Sequence, residues 1–139
     1  MKKIVIVSLV FMLFSCGSTK PPMLSKPLYD LLFGSDYGGA SFQFYEIITE
    51  EKEFNMLLKD KMIKPYVNKE DITTCNFILV NIGEKQQEGF TIEVNNIEEL
   101  PDKMVVSIKE IAPKSTAIAN TTNPCYVIKI KSKKPIEIK

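Results

Sequence analysis

Four consecutive apolar residues, Phe77 to Val80 in the stretch CNFILVNI, constrain this chain more than any other feature. Side chains alternate between the two faces of a strand, so an unbroken apolar run is stable only where both faces are covered. The run therefore predicts the central strand of a sheet with material packed on each side. One cover lies upstream. Phe54, Leu57, Leu58 and Met62 recur at helical spacing, giving a single amphipathic helix that ends before Pro65. Thr49 is the expected N-cap, with Glu50 and Glu51 well placed for the dipole in the first turn. This apolar stripe reads as core.

The remaining strands are shorter signals. Ser41 to Ile48 alternates around Phe42 and Phe44, and Phe90 to Asn95 alternates cleanly, with Phe90, Ile92 and Val94 on one face. Leu100-Pro101-Asp102 makes a turn, and KMVVSIKEIA returns as a further strand. Pro124 to Lys131 and the closing IEIK complete about six strands. The 139 residues suit one domain. The expected fold is α+β: one amphipathic helix packed on a curled antiparallel sheet, a roll or partial barrel.

The N-terminus reads differently. Lys2 and Lys3 precede an eleven-residue apolar core, Ile4 to Phe14. That is shorter than the about 20 residues a bilayer span needs, and suits a secretory signal. The following LFSC, Leu13 to Cys16, resembles the lipobox of bacterial lipoproteins, with Leu13 and Ser15 fitting and Phe14 bulkier than usual. The resemblance makes Cys16 the lipid-attachment residue. Pro21, Pro22 and Pro27 then mark a semi-rigid leash. The short island LYDLLFG, Leu28 to Gly34, reads as one docked helical turn or, preferably, as the lead-in to the fold. The expected organisation is a signal peptide at 1–15, a lipid-anchored tether at 16–36 and the domain at 37–139. Gly17 offers no acidic retention signal, so the expected address is the bacterial cell envelope, at the outer membrane.

Composition excludes several chemistries. The chain has no His, Arg or Trp. Without His, neither a Ser-His-Asp nor a Cys-His nucleophile can be assembled, nor a His-ligated zinc. Without Arg, the planar fork that grips phosphates and guanine edges is missing, and the formal charge is only +1. No enzyme activity, nucleic-acid partner, metal or small-molecule cofactor is expected. The expected partners are a protein and, through the N-terminal lipid, a membrane.

Two loops are candidate contact sites. In NIGEKQQEGFTIEV, polar residues separate two apolar runs, so Gln86, Gln87, Glu88 and Gly89 read either as a partner-contacting tip or as a solvated hairpin turn. In TTNPC, Thr122 and Pro124 read as a second contact or, more strongly, as a rigid start to a strand. Cys75 and Cys125 lie in expected strands, where inert buried thiols are commoner than a disulfide, though export would permit one. The C-terminal KIKSKKPIEIK holds five Lys against one acid, which suits a protected sheet edge or an anionic contact.

Taken in order, YGG, the helical EF..LL, ILVNIGEK…GFTIEV, MVVSIKEIAP and TNPCYVIKIKSKKPIEIK resemble the PrcB family of protease-complex subunits, over Tyr37 to Lys139. Relatives carry Thr-Gly-Gly-Tyr where this chain has Gln87-Glu88-Gly89-Phe90, so only Gly89 is kept. Thr122 and Pro124 match the family's second element, while Cys125 replaces an aromatic. The resemblance implies a non-catalytic lipoprotein subunit that associates with or stabilises an exported protease. The alternative function is a peptidase inhibitor or substrate-capturing module using the loops at 84–90 and 121–126.

Overall fold

The computed structural model describes residues 26–115 and 120–139. Among them the elements run β1 (Tyr29–Ser35), β2 (Gln43–Ile48), α1 (Glu51–Lys59), two 3-10 turns (Lys64–Tyr66 and Lys69–Thr73), β3 (Asn76–Ile82), β4 (Thr91–Glu99), β5 (Met104–Ile111), β6 (Cys125–Ile130) and β7 (Ile136–Ile138). One sheet has the order β1-β6-β3-β2, and a second has the order β4-β5-β7. The fold is α+β, and none of its described helices is long and apolar enough to cross a membrane.

β3 is an interior strand, as its apolar run requires. Its alternate residues feed two separate cores. Phe77 joins Phe54 and Leu57 of α1, Ile63, Val67 and Ile72 in the helix-side core. Ile78, Val80 and Ile82 join Ile92, Met104 and Val106 of the second sheet, together with Tyr126, Ile128 and Ile130. The layers are therefore helix, four-stranded sheet, three-stranded sheet. Fully burying one such large aliphatic or aromatic side chain contributes about 1.5–3 kcal/mol, so β3 is a principal source of stability. Leu79 is the exception in the run, only half-buried because the helical layer stops short of it.

The expected single curled sheet is thus two sheets, and neither closes into a barrel. β3 is flanked by β2 on one side and β6 on the other, which leaves it no free edge for β4. The chain must leave the sheet after Ile82, and the second sheet forms over the exposed face. Nor is the pairing wholly antiparallel, since β5 and β7 run parallel. Seven strands are described, close to the expected six. The additional one is β1, which lies inside the stretch expected to be tether. Its register with β6 runs from Tyr29 opposite Ile130 to Ser35 opposite Cys125. Tyr29 packs on the sheet–sheet core, and Leu32 and Phe33 on the helix-side core, so this apolar island is half-buried as an edge strand, with Leu31 turned out to solvent.

α1 is also shorter than the apolar stripe. Asp60 has extended backbone, and its Oδ1 accepts the Met62 and Ile63 amides at 2.8 and 3.1 Å. A short acidic side chain has captured the donors that another helical turn would have used. Met62, expected on the buried stripe, is consequently half exposed. At the other end the N-cap position falls on Glu50, one residue after Thr49, with no side-chain cap.

Both described cysteines are buried free thiols. Cys75 lies just before β3, while Cys125 pairs opposite Asn81. Six residues of strand separate those positions, about 20 Å, far beyond disulfide reach. The C-terminal lysines are engaged internally. Lys129 pairs with Asp71 at 2.9 Å, Lys131 with Asp30 at 3.0 Å and Lys134 with Glu99 at 2.9 Å, while Lys133 caps the Thr49 carbonyl at 2.8 Å.

Candidate protein-binding loop junction

The loop from Gly83 to Phe90 is a crossover between the two sheets, not a hairpin turn, because β3 and β4 belong to different sheets. Its tip is nevertheless held in place. Lys85 and Thr122 exchange backbone hydrogen bonds at 2.9 and 2.8 Å, forming an isolated bridge. The Thr122 hydroxyl donates to the Gln87 carbonyl at 3.0 Å. The two candidate loops, 35 residues apart in sequence, are therefore one structure.

A third segment completes it. The Gly89 amide donates to Asp36 Oδ1 at 3.2 Å, and the Tyr37 hydroxyl donates to Glu88 Oε1. Asn123 donates to the Asp36 carbonyl at 3.0 Å, and Gly39 to the Asn123 carbonyl at 2.9 Å. Residues 36–40, 85–90 and 121–124 so converge at one end of the four-stranded sheet. Gly89 has φ 90°, a backbone region that residues with a Cβ rarely adopt, and this turn directs the chain into β4.

The base of the junction is Tyr126. Its ring lies against Gly34, where an added Cβ would come within 2.7 Å of the ring carbons, so only glycine permits this packing. The Tyr126 hydroxyl donates to the Phe90 carbonyl. Burial, reinforced by the negative charge of Asp36, pushes its phenol up to about 12. Lys85 sits 5.0 Å from the centre of the Phe90 ring and 2.7 Å from Glu110, a cation–π contact combined with an ion pair. A shallow cleft of about 250 Å³ lies between Gly34, Asp36, Gly89, Phe90, Thr91 and Tyr126.

The sequence candidates separate into two groups. Gln86, Glu88 and Gly89 are exposed, and Gln87 is half-buried. Thr122 and Pro124 are fully buried. Thr122 holds the tip from behind through its hydroxyl and backbone, while the Pro124 carbonyl accepts from the Ile82 amide at 3.4 Å. Asp36 and Tyr37 are junction residues that sequence reasoning missed, and Tyr126, within the expected loop at 121–126, proves to be the base of the junction. The YGG and PCY aromatics were visible signals, but their partners lie 36 to 51 residues away. Cys16 lies outside the described residues. Cys125, behind the junction, donates weakly to the Tyr37 carbonyl, and burial followed by the charge of Asp60 raises its thiol pKa, which makes it a poor nucleophile.

Fold and junction together define a small α+β domain that presents a braced surface loop. Residues 76–131, from the start of β3 to just past β6, match the family described as PrcB C-terminal, and the match supports membership of the PrcB family. It includes both candidate loops. No curated protein and no solved structure matched the chain.

Proposed function

We propose that the chain is a membrane-anchored lipoprotein that serves as a non-catalytic interaction subunit of an exported protease complex. The observation that carries this reading is the PrcB C-terminal match over residues 76–131. The N-terminal lipobox resemblance supplies the anchor at Cys16, with the bacterial outer membrane as its address. Gln86, Gln87, Glu88 and Gly89 form the proposed contact surface, and Tyr37 and Asp36 hold it in one conformation. Preorganisation of this kind favours binding because less loop entropy is lost when a partner docks.

The test is affinity capture of the tagged chain from its own cell envelope, with partners identified by mass spectrometry. The wild type is expected to retain a peptidase, and a chain with Gln86, Gln87 and Glu88 changed to Ser is expected to lose it. Retained partners in that variant would assign the contact elsewhere. Peptidase activity on a small substrate distinguishes the two roles: an inhibitor lowers it, whereas an assembly subunit leaves it unchanged or raises it. Cys16→Ala tests the anchor separately, and unchanged membrane fractionation and migration would remove it from the proposal.

A further inference from the structure

Four strand edges are exposed by the two sheets: β1 and β2 in one, β4 and β7 in the other. Proteins commonly blunt such edges with bulges, short strands, Lys or Pro. Three of these four are blunted. The β1 register shifts between Leu31 and Phe33, β4 shifts between Val94 and Asn96, and β7 has only three residues. β2 is different. It pairs with β3 in unbroken register over six residues and contains neither Lys nor Pro. Its outer edge has no partner strand among the described residues.

The surface beside that edge is equally unfinished. Where α1 stops at Lys59, two adjoining hollows of about 150 and 90 Å³ open over the sheet and share Asp60, Ile63 and Leu79. Met56, 67% exposed, overhangs the larger one, and half-buried Leu79 forms part of its floor. Glu46 and Glu53 line it too. Glu46, Glu53 and Asp60 take part in none of the five ion pairs found among the described residues. The groove is therefore apolar at its base, and its rim carries three carboxylates without an ion-pair partner among the described residues.

We infer that the β2 edge accepts an extended segment of a partner protein as an additional strand, one in which Lys or Arg alternates with apolar residues. Main-chain hydrogen bonds to β2 would supply the affinity, and alternate side chains entering the groove would supply the selection. A cationic residue set directly opposite Glu46 falls within cross-strand pairing distance. Apolar neighbours on the same face reach Phe44 and Met56. The charge argues against a second copy of this chain, since antiparallel pairing of two β2 edges draws their Glu46 carboxylates together. The β2 edge and the larger hollow share no residue with the loop junction, so the inference does not depend on the identity of the partner there.

The test uses four fluorescein-labelled nine-residue peptides and the full-length chain in non-ionic detergent, with detergent alone as the blank. One peptide alternates Lys and Leu, one Glu and Leu, and one Lys and Ser; the fourth is the Lys/Leu peptide N-methylated at alternate amides. Only the first is expected to bind measurably and to slow amide exchange at Gln43–Ile48. Glu46→Lys should weaken it at least about tenfold, as should N-methylation, which removes ladder donors without altering the protein. Equal binding of the Glu/Leu or N-methylated peptide would overturn the inference, as would protection at β1 or β4 in place of β2. A peptide-free dimer with β2 already protected would assign the edge to a second copy. Protection lost on deleting residues 17–25 would assign it to the chain's own N-terminal segment. Either result overturns the proposal.

Discussion

The interior of the four-stranded sheet and the loop junction at its end are both held in place, but by different forces. β3 and β6 are fixed by apolar burial on two faces, with Phe77, Ile78, Val80, Val127, Ile128 and Ile130 all inaccessible to solvent. The junction is fixed by hydrogen bonds between side chains and backbone: Thr122 to Gln87, Asp36 to Gly89, Tyr126 to Phe90. Burial is non-directional and large, whereas a hydrogen bond contributes a net of only about 0.5–1.5 kcal/mol but fixes geometry. The sheet interior thus carries stability, and the junction carries shape.

The contrast is most strongly challenged at Phe77, which stacks on Phe54 at 4.7 Å between ring centres. Phe77→Ala is expected to cost about 3–5 kcal/mol in urea unfolding. A domain of ordinary stability has only about 5–15 kcal/mol, so the midpoint should fall steeply. Leu79→Ala, at the half-buried member of the same run, should cost about 2 kcal/mol, the lower end of that range. Equal losses at the two positions would show that the groove floor is as closed as the core.

Next in size is the alkaline response of the junction. The folded state holds the Tyr126 phenol at about 12, above its ordinary value of 10.0, so folding favours the protonated form. That contribution is complete below pH 10 and is lost as pH rises towards 12. The unfolded chain binds fewer protons in this window, so stability falls with pH, by about 3 kcal/mol in all. Urea midpoints at pH 9 and pH 11.5 measure it, and Tyr126→Phe should flatten this part of the slope. At neutral pH the same variant should cost about 1 kcal/mol, because the part-buried Phe90 carbonyl loses its donor.

The smallest effect belongs to the tip. Changing Gln86, Gln87 and Glu88 together to Ser should shift stability by less than about 0.5 kcal/mol, since the Tyr37–Glu88 bond is exposed and the Gln87 carbonyl survives the change. A melting curve that moves by several degrees would show that the tip is part of the structural frame and not an addition to it.

What the sequence disclosed follows the same division. Period-two and helical patterns report which residues are buried, and they located β3, the apolar face of Phe90, Ile92 and Val94, and the helix face of Phe54 and Leu57. Patterns do not report which strand pairs with which. The split into two sheets, the parallel β5–β7 pair and the place of β1 beside β6 all depend on contacts distant in sequence. β1 was additionally obscured by Pro27 before it and a Gly pair after it, which locally resemble a leash. At the junction, the exposed tip was legible from its polarity. Asp36 and Tyr37 were not, because nothing in their own neighbourhood marks them as partners of Gly89 and Glu88.

The register of β1 has a mechanical consequence. Tyr29 lies at the Ile130 end of the sheet, and Ser35 lies at the Cys125 end, where the junction begins. Six residue steps separate the two, about 20 Å along the strand. Under the proposed anchoring, the strand end that follows the N-terminal segment and the candidate contact loop thus lie at opposite ends of one sheet. Tension between membrane and partner would run along the β1–β6 ladder in shear. It would load several rungs at once instead of opening them in succession from one end. Under that proposal, such a domain would be pulled without coming apart first at its N-terminal strand.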